Sequence, residues 1–164
     1  MKFKNGFITS LFGFAYVAGL LSAVLIMREF LGLYYVWFIF IAAWGCDTGA
    51  YFAGRAFGKR KLAPKLSPKK TVAGAIGGTL TAAILCVVYA LIFGDGSTWL
   101  PYAIFGIIGA ILGQAGDLSA SALKRHVGLK DFGQIIPGHG GVLDRFDSIQ
   151  FVAPFALLFF YFYA

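Results

Sequence analysis

The chain has 164 residues, 59% of them hydrophobic and only 13% charged, with a mean hydropathy of +0.79. Ordinary soluble domains are roughly 45–50% apolar and about 25% charged, so this composition excludes a water-soluble enzyme, a disordered chain and a secreted disulfide scaffold, and leaves an integral membrane protein. Fourteen Lys and Arg against seven Asp and Glu give a formal net charge of +7, as expected from basic cytoplasmic loops or from an anionic ligand.

Apolar runs of about 20 residues mark membrane-spanning helices. Five are predicted, within a single membrane domain covering residues 1–164: 7–27, 33–57, 71–93, 99–126 and 142–164. The first is uncharged. It is too long for a signal peptide and lacks a small-residue cleavage site, so it is expected to stay in place. In the second, Cys46 reads as a small buried hydrophobe, as does Cys86 in the third. Gly74-x-x-x-Gly78 and Gly109-x-x-x-Gly113 predict close packing of the third and fourth helices. Pro154 is expected to kink the fifth.

With five spans, the N-terminus and the two large loops fall on one side, which holds 13 of the 14 basic residues. The positive-inside rule makes that side cytoplasmic. The turn at 94–97 and the C-terminus then face outward.

Most of the seven acids do not sit where a surface carboxylate would. Glu29 and Asp95 fall on short external turns, but Asp47, Asp117, Asp144 and Asp147 lie within or at the ends of predicted spans. A carboxylate in a bilayer is costly and usually faces a polar cavity with a partner. Asp144 and Asp147 are three apart and share a helix face. Asp117 comes from the matching half of the fourth span, with Ser121 and Lys124 following on its own face. Three hard oxygen donors at one depth suit Mg²⁺ better than Zn²⁺.

Two further stretches carry polar chemistry. Ser67-Pro68-Lys69-Lys70-Thr71 precedes a glycine-rich helix start, which pairs point charges and hydroxyls with a helix N-terminus, as an anion site does. It is not a Walker A loop, and a plain basic loop remains the alternative. The second stretch runs from Lys124 to Asp147 and includes Lys130-Asp131 and Pro137-Gly138-His139-Gly140-Gly141, where glycines on both sides of His139 let the backbone approach a ligand.

Together these residues resemble a known family. Ser121-x-x-Lys124-Arg125-x4-Lys130-Asp131-x-Gly133-x3-Pro137-x-His139-Gly140-Gly141-x2-Asp144-Arg145-x-Asp147 is similar to the signature of the phosphatidate cytidylyltransferases, or CDP-diacylglycerol synthases. Asp47-Thr48-Gly49-Ala50-Tyr51-Phe52-x-Gly54-Arg55, the Ser67–Thr71 stretch and Gly116-Asp117-Leu118 resemble earlier segments of the same family. The likeness covers nearly the whole chain and resembles the C-terminal, catalytic portion of longer members. It departs at Ala73 and Ala120, where the family usually carries Glu.

The resemblance implies an all-α integral membrane fold, about five transmembrane helices with a cytoplasm-facing polar cavity, in a bacterial-type inner or plasma membrane. It implies transfer of CMP from CTP to phosphatidic acid, giving CDP-diacylglycerol and pyrophosphate, with Mg²⁺ and room for a second cation. Asp117, Asp144 and Asp147 would hold metal, and Lys130, Asp131 and His139 would join them in catalysis. Asp47, Ser67, Lys69, Lys70, Thr71, Ser121, Lys124, Arg125 and Arg145 would bind substrate. The implied partners are CTP, phosphatidic acid, membrane lipids and a second copy in a homodimer, with no nucleic acid. The competing readings are a CTP-dependent lipid kinase, a non-catalytic or truncated membrane homologue, and an ion transporter built on the Asp cluster.

Overall fold

The computed structural model describes residues 2–64, 66–94, 98–126, 128 and 143–163, with backbone alone at 2–13, 15, 16, 143 and 145. Five long helices dominate: α1 (Lys2–Leu31), α2 (Leu33–Phe57), α3 (Val72–Phe93), α4 (Leu100–His126) and α5 (Leu143–Tyr163). All of α2, α3 and α4, and residues Phe146–Tyr163 of α5, are long and apolar enough to cross a membrane. At 1.5 Å per residue, α2 and α4 reach roughly 37–40 Å, beyond a hydrocarbon core of about 30 Å. Their ends therefore emerge where the exposed Arg55 and Arg125 sit.

Glycines and one threonine set the helix boundaries. Gly32 takes φ +91°, a left-handed value that glycine adopts without a Cβ clash, and its N–H reaches the Met27 and Arg28 carbonyls at 3.2 Å. α1 and α2 are thereby separated by a single residue. Gly58 closes α2 through Gly54 O, and Gly94 closes α3 through Ala90 O. Thr71 caps the start of α3, its Oγ1 accepting from Gly74 N at 3.1 Å. α5 continues through Pro154.

Two local expectations are corrected. Glu29 belongs to the last turns of α1 and not to a turn. The basic connection before α3 is not irregular throughout: β1 (Lys61–Ala63) and β2 (Ser67–Thr71) pair antiparallel, with a register irregularity between Lys61 and Ala63. A two-stranded hairpin has no central strand, so Pro68 costs little there.

α2 and α3 form the tightest pair. A Cβ on Gly78 would sit 2.5 Å from Cys46 O, and one on Gly74 would sit 2.8 Å from Ala50 O, so only glycine permits this approach. The small-residue pattern in α3 is thus used for backbone contact with α2. Both cysteines are free and buried.

The core is aromatic at one end. Phe38, buried in α2, stacks on Tyr102 of α4 at 5.1 Å and meets Phe105 and Phe160 edge-on or tilted. The opposite end, where α2 and α4 finish and α3 and α5 begin, gathers the charged side chains. Many large apolar residues point outward, among them Phe30, Trp44, Phe52, Ile84, Ile111 and Phe162. So much exposed apolar surface suits a lipid surround and not water. The fold is that of an all-α integral membrane protein.

Candidate functional site

The C-terminal half of α2 presents Asp47, Ala50, Tyr51, Gly54 and Arg55 at helical spacing, which places them on one stripe. The hairpin folds back against that stripe, because Thr71 caps α3 while its side chain packs beside Gly54 and Gly58. The result is a cleft of about 560 Å³. Arg55, Lys61, Lys69 and Lys70 supply its positive charge and Asp47 a negative one, Ala50, Gly54, Gly74 and Ala75 form its small-residue wall, and Gln114 of α4 contributes from the far side. Arg55 Nη1 donates to Tyr51 OH at 3.2 Å, which ties two lining residues together.

The acids meet this cleft from α2, α4 and α5. Lys70 Nζ forms an ion pair with Asp117 Oδ2, joining the basic hairpin to the acidic helix. Ser121 Oγ makes a long contact of 3.4 Å to the other Asp117 oxygen. Asp147 is buried, its Oδ1 accepts the Ser148 N–H at 2.8 Å, and it lies within electrostatic range of Asp117, Lys124 and Asp47. Lys124 Nζ donates to Asp144 Oδ1 at 2.7 Å, with both side chains about 9% exposed. Asp144 also stands in the first turn of α5, where a helix dipole favours negative charge.

Gly116 makes this convergence possible. A Cβ there would come 2.7 Å from Asp147 O and 3.0 Å from Phe151, so any larger residue forces α4 and α5 apart between Asp117 and Asp147.

The expected site residues separate into distinct places. Asp47, Lys69, Lys70 and Thr71 line the cleft. Asp117, Ser121, Lys124, Asp144 and Asp147 occupy the α4–α5 seam next to it. Thr71 oxygen is already engaged as a helix cap. Ser67 is half-buried on β2, Arg125 is exposed at the end of α4, and Arg145 is placed by its backbone in the first turn of α5. Lys130, Asp131 and His139 lie outside the described residues, as do the glycines flanking His139.

Among the described residues, no three His, Cys, Asp or Glu side chains are gathered into a ready metal cage. Mg²⁺ seldom needs one, since it is commonly held by one or two carboxylates plus substrate phosphate oxygens and waters. The donor set fits that pattern: Asp117 and Asp147 offer hard oxygen donors within electrostatic range of each other, with ammonium groups balancing their charge. Asp144 stands in the same seam and pairs with Lys124 as Asp117 pairs with Lys70.

Two polar residues escaped the sequence reading. Gln114 is held across the bundle by α3, and Gln150 is fully buried with neither amide atom partnered among the described residues. Each stands three residues from a site aspartate, Gln114 before Asp117 and Gln150 after Asp147. An amide inside an apolar run beside an acid is the signal that would have found them.

The polar end of the bundle thus holds a cleft with a lysine-rich rim and carboxylates adjoining it. The chain belongs to the Cytidylyltransferase family, whose profile matches residues 1–163. It is 46% identical to the phosphatidate cytidylyltransferase of Bacillus subtilis (strain 168) over 76% of this chain and 46% of that protein. To the enzyme of the same name from Haemophilus influenzae it is 40% identical, over 97% of this chain and 59% of the relative. To that of Staphylococcus saprophyticus it is 51% identical, over 75% and 47%. The chain spans about half the length of the curated relatives it matches.

Proposed function

We propose that this chain carries the catalytic portion of a CTP:phosphatidate cytidylyltransferase. A phosphate oxygen of phosphatidic acid forms a new bond to the α-phosphorus of CTP, the bond between the α-phosphorus and its bridging oxygen breaks, and pyrophosphate leaves. The observation that carries this reading is the Lys70–Asp117 pair, which couples a basic cleft to an acidic seam.

Lys61, Lys69 and Lys70 would hold the triphosphate and offset the charge that builds on the leaving pyrophosphate. Asp117 and Asp147 would hold Mg²⁺, which when bound supplies charge neutralisation at the phosphates. Lys124 would keep Asp144 fixed and add positive potential near Asp147. Arg125 and Arg145, at the membrane-surface end of the bundle, would meet the lipid headgroup.

The decisive assay combines purified protein, radiolabelled CTP, phosphatidic acid and Mg²⁺. Labelled CDP-lipid is the expected product. Transfer of the γ-phosphate would identify a lipid kinase, and no product would identify a non-catalytic homologue. Within the same assay, Lys69→Ala and Lys70→Ala should raise the KM for CTP roughly tenfold to a hundredfold, the worth of one charge-assisted contact of about 1.5–3 kcal/mol. The KM for phosphatidic acid should move less. An unchanged CTP constant in well-folded variants would remove the hairpin from nucleotide binding.

The polar end of the bundle is proposed to face the cytoplasm of a bacterial-type inner or plasma membrane. Thirteen of the fourteen basic residues sit on that side of a five-span topology. A Lys61→Cys variant should resist a membrane-impermeant thiol reagent applied to intact cells and react after permeabilisation, while the two native cysteines are buried and stay silent. Labelling from outside would reverse the orientation. A homodimer is also proposed, which light scattering in mild detergent would read as twice the chain mass.

A further inference from the structure

Gln114 is oriented by its surroundings. Its Nε2 lies 3.1 Å from Ala75 O, 3.1 Å from Thr79 Oγ1 and 3.3 Å from Cys46 Sγ. The Thr79 hydroxyl donates its one hydrogen to Ala75 O at 3.0 Å. What Thr79 turns toward Gln114 is therefore a lone pair, and the Ala75 carbonyl is an acceptor in any case. Only the amide's NH₂ end satisfies both, because a flipped side chain would set its oxygen against two acceptors. With the nitrogen bound to α3, the carbonyl oxygen is turned away from it. Gln114 lines the cleft, and among the described residues its Oε1 has no protein hydrogen-bond partner and is not closed off from solvent.

The position of that oxygen matters. Gln114 is three residues further along α4 toward the membrane interior than Asp117, about 4.5 Å deeper. Around it the cleft wall is made of Ala50, Gly74 and Ala75, while the cationic groups lie on the hairpin and at the end of α2. The lining therefore changes from cationic at the hairpin to small-walled near Gln114, where acceptors stand: the Gln114 amide oxygen and, on α2 next to Cys46, the carboxylate of Asp47. A ligand with an anionic tail and a neutral planar head bearing an amine matches that gradient.

We infer that Gln114 is a specificity-determining residue whose side-chain carbonyl accepts a hydrogen bond from the exocyclic amine of cytosine. The inference rests on the proposed use of CTP. Uracil carries a carbonyl oxygen where cytosine carries the amine, so the same acceptor would face a second acceptor and disfavour UTP. Adenine also bears an amine, and ring size rather than Gln114 would have to exclude it.

The test compares CTP with UTP, by kcat/KM and by protection of the purified protein against thermal unfolding. Gln114→Leu keeps the bulk and removes the acceptor. It should lower the CTP-to-UTP ratio roughly tenfold to a hundredfold, the cost of leaving one buried hydrogen-bonding group unpaired. Thr79→Val leaves Gln114 in place but removes one of the acceptors that orient it, and should lower the ratio by a smaller factor. A purely structural role would depress both nucleotides equally, so an unchanged ratio in Gln114→Leu overturns the inference. Should Gln114→Leu fail to fold, the Thr79→Val ratio decides in the same way. The two proposals fail separately: wild-type protein that makes no CDP-lipid sinks the enzymatic reading, whereas a wild type that turns over CTP with an unaltered ratio in the variants sinks only the role of Gln114.

Discussion

Asp117→Asn and Asp147→Asn are each expected to cut kcat on the order of a hundredfold to a thousandfold, the scale seen when one group stabilising developing charge is removed. Both changes preserve size. In Asp147→Asn the new amide would still offer an oxygen to the Ser148 N–H that Asp147 now binds at 2.8 Å, so the start of α5 should hold. In Asp117→Asn the amide oxygen would still accept from Ser121, but Lys70 would be left without its counter-charge. The two variants should therefore differ in a second respect. Freed from Asp117, Lys70 should bind the triphosphate at least as well as before, so the KM for CTP should not rise in Asp117→Asn. Both should require more Mg²⁺ for half-maximal rate, because each removes one anionic ligand. Steady-state kinetics across a Mg²⁺ series, on protein that elutes as wild type does, gives all three quantities. Wild-type kcat in either variant would end the assignment of that carboxylate to the chemistry.

The helices were legible because each span is a long apolar run ended by glycine or by a charged stretch, and hydropathy reads that directly. Gly32, Gly58 and Gly94 stand at the helix ends the structure displays. The gathering of acids at one end was legible too, because alternating spans return the C-terminal half of α2, the end of α4 and the start of α5 to the same side. The hairpin was not. Lys61–Ala63 and Ser67–Thr71 have the composition of a basic loop, and their pairing depends on Thr71 docking against Gly54 and Gly58 of another helix.

Partner choice was hidden for the same reason. Spacing on α5 put Asp144 and Asp147 together, yet the structure turns one onto Lys124 and leaves the other near Asp117. That split is decided across the α4–α5 seam, at a closeness allowed by Gly116, and no pattern within a single helix encodes it. Gln114 went unread because an uncharged amide barely perturbs the hydropathy of the run that contains it.

Lys124→Met is expected to destabilise the protein by about 3–5 kcal/mol, the usual effect of removing one member of a buried ion pair. Lys124 and Asp144 meet at 2.7 Å with little exposure on either side, so the substitution takes the lysine counter-charge from a largely buried carboxylate. The cost comes mostly from the abandoned charge and not from the lost contact. Asp144→Leu should be costly for the converse reason, although a long lysine retains some freedom to snorkel toward the membrane surface. Replacing both together removes that charge as well, so Lys124→Met with Asp144→Leu should recover much of the stability lost in Lys124→Met alone. Activity should not return with it, because the positive potential beside Asp147 and the fixed carboxylate at the start of α5 are both gone. Thermal unfolding in detergent, followed for the wild type, the two single variants and the double variant, gives the coupling between the residues. Additive losses would mean that the pair contributes nothing as a pair. A stable and fully active double variant would show that Lys124 and Asp144 serve the fold alone, and the working site would then contract to Asp117, Asp147 and the basic hairpin.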